Sequence, residues 1–176
     1  MTATMQIRRL TQNDGADYRA LRLRAFQEHP EAFTSAYEEE VLKPLAYTEQ
    51  RLGSASAASY WGAFAADLQT GQEVLVGIVG LEREQRLKNR HKAVVIGMYV
   101  APEQARRGVG RALLAALLTA ARASELEQVV LTVTQGNASA EQLYRDAGFT
   151  SYGMEPRAIK VGTQYFGKNL MYLSLV

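Results

Sequence analysis

The apolar positions of this chain keep a period of two over some stretches and of three to four over others, which divides it into strands and helices. Met5 to Leu10 reads as a first strand. Asn13-Asp14 can cap a helix whose Tyr18, Leu21, Leu23 and Phe26 form an apolar stripe, ended by His29-Pro30. Glu31 to Leu52 reads as one or two shorter helices, interrupted at Pro44 and closed by Gly53, with the acidic run Glu38-Glu39-Glu40 on a solvated face. After a small polar loop at Ser54 to Ser59, Tyr60 to Ala66 and Val74 to Glu82 read as a hairpin around the turn Asp67 to Gly71.

The second half repeats the alternation. A polar turn at Leu87 to His91 leads into the β-branched strand Val94 to Val100, which Ala101-Pro102 stops. Gly108 then opens a helix whose Val109, Leu113, Leu117 and Leu114, Leu118, Ala121 make one broad face for packing on a sheet. Gln128 to Thr134 is apolar enough for a central strand buried on both sides. A helix from Ala138 to Asp146 and strands at Phe149 to Pro156 and Gln164 to Leu175 close the chain. There is no internal repeat, linker or low-complexity tract.

The stretch from Val94 to Leu118 carries candidate chemistry as well as pattern. Gly108 and Gly110 lack a Cβ, so backbone there can approach a ligand closely, and the first-turn N–H groups of the following helix carry partial positive charge. A phosphate suits such a place. Arg106, Arg107 and Arg111 add side-chain charge, which favours a polyphosphate over a neutral ligand. The same order of strand, turn and helix joins many α/β units, so this segment alone leaves a plain helix start equally open.

Composition narrows the class. The 176 residues fit one domain, spanning 1–176, with enough chain for a full core without staples. With 47% hydrophobic and 22% charged residues, the chain reads as an ordinary globular protein, and no apolar run approaches the roughly 20 residues of a membrane helix. Met1 to Leu10 has no hydrophobic signal core and there is no Cys, so a cytoplasmic address is expected. A net charge of +2 gives no footprint for nucleic acid. His29 and His91 are the two histidines and neither stands at ligand spacing from another, so no metal is expected. The same shortage of partners disfavours Ser-His-Asp or Cys-His catalysis.

A second segment, Asn137-Ala-Ser-Ala-Glu-Gln-Leu-Tyr144-Arg-Asp-Ala-Gly148-Phe149, settles more. Asn137 can cap its helix, Ala140, Leu143 and Ala147 form a core face, and Gly148 suits the left-handed position after the helix with Phe149 packing back. Tyr144 stands at the edge of that face. It reads either as an amphipathic core tyrosine or as a phenol offered to a cleft. Together the two segments resemble the GNAT N-acetyltransferase family, through its acyl-CoA loop [QR]-x-x-G-x-[GA] and its helix N-x-x-A-x-x-L-Y-x-x-x-G-F. The second match is complete, whereas in the first Ala105 occupies the place of the usual Gln or Arg. Leu21 to Arg24, Pro30 to Phe33 and Tyr152 to Arg157 look like segments of a bacterial branch acting on small molecules or protein amines. That branch continues with an acidic pair after an aromatic, where this chain has Phe166-Gly167-Lys168.

The resemblance implies an α/β fold of the α+β kind: a mixed, mostly antiparallel sheet of about seven strands, flanked by helices on both faces and splayed at the acyl-CoA strand. It implies transfer of an acetyl group from acetyl-CoA to a primary amine, by direct attack in a ternary complex. The CoA pyrophosphate is expected on the amides of Ala105, Arg106, Arg107, Gly108, Val109, Gly110 and Arg111. The pantetheine arm is expected beside Met98, Tyr99 and Val100, with Asn137 and Tyr144 completing the cofactor-binding set. An N–H near Met98 or Tyr99 would polarise the thioester carbonyl. Tyr144 is the expected acid for the departing thiolate, since a phenol of pKa near 10 stays protonated at neutral pH. No carboxylate lies in Val94 to Val100 or Val129 to Thr134, which leaves Glu82, Glu84 and Glu38 to Glu40 as candidate bases acting through water. The acceptor is expected to be an amine-bearing small molecule or peptide, and homodimers are common in proteins of this kind. The competing readings are a non-catalytic acyl-CoA-binding module or sensor, and a nucleotide-binding α/β protein. The latter lacks both G-x-G-x-x-G and G-x-x-x-x-G-K-[ST].

Overall fold

β-Branched and aromatic runs become strands, and helices form where leucine and alanine recur at three and four. The structure, a computed structural model, describes residues 5–67 and 69–176. The described elements run β1 (Gln6–Arg9), α1 (Gly15–Glu28), α2 (Tyr37–Glu40), α3 (Leu45–Leu52), β2 (Ala58–Ala66), β3 (Glu73–Arg83), β4 (Lys92–Val100), α4 (Val109–Arg122), β5 (Gln128–Thr134), α5 (Ala138–Asp146), β6 (Thr150–Val161) and β7 (Gln164–Ser174). Leu68, within the expected turn Asp67 to Gly71, and residues 1–4, within the opening segment, lie outside the described residues.

One seven-stranded sheet takes the order β1-β2-β3-β4-β5-β7-β6, antiparallel throughout except for the parallel pair β4 and β5. Both faces are covered. On one, α4 and α5 bury Leu113, Leu117 and Tyr144 against Trp61, Ala63, Val79, Val129 and Leu131. On the other, Tyr18, Leu21 and Ala25 of α1 and Leu52 of α3 pack with Tyr60, Phe64, Ile78 and Tyr99. Leu113 and Leu117 are fully buried, so truncation of either to Ala costs about 2–5 kcal/mol.

Several elements differ from their sequence reading. A short 3-10 turn, Gln12–Asp14, precedes α1, and the Asp14 carboxylate turns back to accept from Thr11 N (2.7 Å) and from both Arg8 nitrogens (2.7 and 3.0 Å) instead of capping the helix. In the stripe of α1, Leu23 is only half-buried and Ala25 takes the core position. Pro156 does not end β6. As the edge strand, β6 tolerates a missing N–H, and a bulge between Glu155 and Ile159 with Arg157 at φ 54° carries it on to Val161. β5 is not buried evenly on both faces: Val129, Leu131 and Val133 meet the core, whereas on the other face Val130 is half-buried, Thr134 is buried and Thr132 is exposed, lining an opening beside β4.

That opening positions the site. β4 pairs with β5 only from Lys92 to Val94, against Gln128 to Val130, while β5 continues along β7 to Thr134. The two central strands therefore diverge after Val94. The downstream backbone of β4 is left without a strand partner on that side.

Candidate functional site: a cleft along the splayed strand

The divergence is reinforced within β4 itself. Its register with β3 passes from Gly80↔Ile96 to Ile78↔Tyr99, so Gly97 and Met98 together face Val79. Gly97 takes φ 61°, a left-handed conformation that a bulge requires and glycine supplies. An isolated Gly in an apolar strand is the kind of signal that could have revealed the bulge, and the sequence reading did not use it. Two cavities meet along the strand, sharing Ala32, Phe33, Met98, Asn137 and Ala140.

The larger, of about 660 Å³, runs from β4 to the start of α4. Met98, Tyr99, Val100, Ala105, Arg106, Gly108, Val109, Gly110, Arg111 and Asn137 all line it. Arg106 (φ 61°) and Gly108 (φ 78°) are both left-handed, and the second is the N-cap of α4. Left-handed residues in such close succession before a helix N-terminus are the backbone pattern of an anion-binding nest. A Cβ added at Gly108 would meet nothing within 4 Å, so the space in front of it is open for a ligand. Gly110 serves differently: its Cβ direction faces Leu143 at 3.4 Å and Val100 at 3.8 Å, which brings α4 close to α5 and β4. Arg107 is outside the cavity lining and donates to Gln104 Oε1 (3.3 Å), while Arg111 reaches Asp146 at 3.6 Å from an exposed position. Ala105 contributes backbone and a methyl group where a longer side chain was the family pattern.

A polar network holds the approach to this nest. Arg24 of α1 donates to both Glu103 oxygens (2.8 and 2.9 Å) and to Glu28 Oε1 (2.7 Å), and Tyr99 donates its hydroxyl to Glu28 Oε2. The Arg24 guanidinium lowers the Glu103 carboxyl to about 2. The Tyr99 hydrogen bond and Arg24 together hold Glu28 below the usual carboxylate range. Asn137 caps α5 as its spacing predicted, its Oδ1 accepting from Ala140 N at 3.2 Å.

The second cavity, of about 310 Å³, fills the wedge between β4 and β5 under α1 and α3. Tyr144 lines it with its ring edge-on to Phe149, centroids 5.8 Å apart, so the two readings of this tyrosine are compatible: the ring is core and the residue borders a cleft. Burial alone raises its phenol well above the ordinary value. Tyr18 and Tyr60, T-shaped at 5.2 Å, form the opposite wall, and Tyr60 accepts from Arg51. Of the carboxylates considered from sequence, Glu82 lines this cavity. Glu40 is held by Lys43 at 2.6 Å instead, and Glu38, Glu39 and Glu84 are not among the lining residues.

Sequence reasoning assigned no role to three cations here, Arg22, Arg51 and Lys168. They come from α1, α3 and β7, and no local pattern connects them. Lys168 donates to Thr34 Oγ1 at 2.9 Å, and Thr134 Oγ1 donates to the Glu31 carbonyl at 2.8 Å, tying β5 and β7 to the segment between α1 and α2.

Comparison with known proteins agrees with this architecture. Residues 20–149 match the family model of the acetyltransferase (GNAT) family. Among solved structures, the chain is similar to an acetyltransferase of the GNAT family from Streptococcus pneumoniae, at 26% identity and TM-score 0.83, covering 97% of this chain and 99% of that one. It shares the fold of yncA, a putative acetyltransferase from Salmonella typhimurium solved with its cofactor acetyl-CoA, at 22% identity and TM-score 0.78 over 99% and 95% of the chains. A ribosomal-protein-alanine N-acetyltransferase from Brucella melitensis has the same fold at 21% identity and TM-score 0.74, over 96% and 99%. With residues 20–149, more than half of its length, matched by the family model, the chain belongs to the GNAT acetyltransferase family.

Proposed function

We propose that this protein is one acyltransferase domain that moves an acetyl group from acetyl-CoA to a primary amine, by direct attack while both substrates are bound. The observation that carries the reading is the continuity of the two cavities along the free edge of β4, with a nest at one end and Tyr144 on the other side of the wedge. The nest from Ala105 to Arg111 holds the pyrophosphate through backbone N–H groups, with Arg106 and Arg111 supplying charge at the rim. Ala105 costs one side-chain contact and leaves those amides in place. The unpaired backbone of Met98, Tyr99 and Val100 takes the pantetheine arm as a further strand. Acetyl-CoA supplies an acetyl group already activated as a thioester.

The chain's own residues then manage two protons. An amine of lysine-like pKa, about 10.4, arrives protonated and must lose a proton before attack. Glu82 is the candidate carboxylate at this cavity and takes that proton through water. Tyr144, kept neutral by burial, donates its hydroxyl hydrogen to the departing thiolate sulfur. An N–H at the Gly97 bulge, that of Met98 or Tyr99, polarises the thioester carbonyl; such a donor is worth roughly 2.7–4 kcal/mol. The absence of any cysteine fits a cytoplasmic place for this chemistry.

The test is an acceptor screen with acetyl-CoA and a mass readout. Acetylated amine together with free CoA supports the reading. Tight acetyl-CoA binding with no product from any amine would favour a non-catalytic acyl-CoA-binding module, and absence of binding would remove the donor assignment.

A further inference from the structure

The charged residues lining the wedge cavity are Arg22, Arg51, Lys168 and Glu82, three cations against one carboxylate. None of the three cations forms an ion pair among the described residues: Lys168 bonds the neutral Thr34 hydroxyl, and Arg51 bonds the Tyr60 phenol. Arg22 is the least satisfied. Its guanidinium carbon lies 4.4 Å over the Phe26 ring and 5.2 Å from that of Phe33, and its Nη1 is buried with no hydrogen-bond partner. A Cβ added at Gly97 would stand 2.9 Å from that nitrogen, so the guanidinium rests on the bulge of β4. Desolvating a charged donor without an acceptor is costly, and the two aromatic faces that fix its plane supply none. A rigid fork of N–H groups held this way matches a carboxylate bidentately.

We propose that the acceptor is a small primary amine that carries its own carboxylate, a free amino acid being the simplest member of the class, with Arg22 and Lys168 holding that carboxylate. The inference rests on the acetyl-transfer reading and adds the acceptor's chemistry to it. A cavity of about 310 Å³ stands at the small end of ligand pockets, roughly 300–1,000 Å³, and suits a single residue-sized molecule. A polyamine would bring further positive charge against three unmatched cations. Glu82 remains for the ammonium end of the same molecule.

The experiment compares thiol release from acetyl-CoA with L-amino acids, each against its carboxamide and its decarboxylated amine. The expected result is a kcat/KM for at least one amino acid that exceeds both analogues tenfold or more. That ratio falls toward one in Arg22→Met and at least threefold in Lys168→Gln, with the KM for acetyl-CoA moving less than twofold. Equal or better use of the amides or decarboxylated amines overturns the proposal. So does an Arg22→Met enzyme whose KM for acetyl-CoA rises while the ratio stays unchanged. Calorimetric titration of the CoA-bound protein with N-acetyl amino acids and their amides separates the two readings. If acetyl-CoA binds and no amine is acetylated, catalysis fails on its own. Tenfold tighter binding of the carboxylates then still supports this assignment, and equal or absent binding refutes it.

Discussion

Tyr144→Phe removes one oxygen from a side chain that is 6% exposed and whose ring packs on Phe149, so its effects on stability and on chemistry separate cleanly. Burial is what raises the phenol, and the lost hydroxyl strands no hydrogen-bond partner among the described residues. Deleting such a group exposes no unsatisfied donor or acceptor, so unfolding free energy should stay within about 1 kcal/mol of the parent. At this chain length that is a Tm shift of no more than about 4 °C. Turnover should respond differently. A positioned general acid contributes about 10²- to 10⁴-fold, which at 1.36 kcal/mol per tenfold is about 2.7 to 5.4 kcal/mol of barrier. Steady-state thiol release measures kcat and the KM for acetyl-CoA, and thermal melting checks the fold. Because the phenol's pKa is raised above 10, protonated Tyr144 persists to high pH and should impose no alkaline fall in kcat below that value. A folded Tyr144→Phe protein with kcat within threefold of the parent would refute the acid role.

Gly108→Val forces a β-branched residue to φ 78° and fills the open space before the nest; acetyl-CoA affinity by calorimetry should fall at least tenfold, and an unchanged Kd would reduce the loop to a helix start. Asn137→Ala deletes the cap on α5 and should cost about 1 kcal/mol, read as a Tm lower by roughly 2–4 °C; an unchanged melting curve would contradict the cap. Glu103 and Glu28 have folded pKa values below their ordinary ones, so the stability they contribute is present above about pH 4.5 and is lost as pH falls through the folded values, toward about 2 for Glu103. With Glu103 and Arg24 both substantially exposed, Glu103→Gln should cost less than about 1 kcal/mol at pH 7 and flatten the acid limb between pH 4.5 and 2; an identical acid limb would show that the pair is screened to nothing.

The order of elements was legible because each is declared by its own residues. The hairpin of β2 and β3, the helix opened by Gly108 and the cap at Asn137 fall where period, glycine and side-chain oxygen placed them. Misreadings arose where tertiary partners decide. Asp14 has the residue type of a cap, yet the neighbouring Arg8 side chain and Thr11 amide take its carboxylate. Pro156 is a strand breaker in a central strand and is tolerated in β6, whose edge position no local pattern reveals. The apolar run of β5 suggested burial on both faces, but the face carrying Thr132 depends on how far β4 diverges.

The same distinction in range divides the site. The donor half needs only the backbone of consecutive residues: Arg106 and Gly108 fix the nest, and Gly97 fixes the bulge, each through its own φ. Such geometry leaves a signature in the chain itself. The proposed acceptor half is assembled from side chains of α1, α3, β3, β5, α5 and β7, separated by more than a hundred residues between Arg22 and Lys168. The meaning of Arg22 depends on where it lands: it lies beside Phe26 and Phe33 and above a glycine, with its Nη1 buried and without a hydrogen-bond partner among the described residues. A substitution at such a position leaves the fold and the nest untouched while changing the net charge of the proposed acceptor pocket. On the acetyl-transfer reading, acceptor chemistry therefore follows the side chains of this cavity and not the fold that carries them.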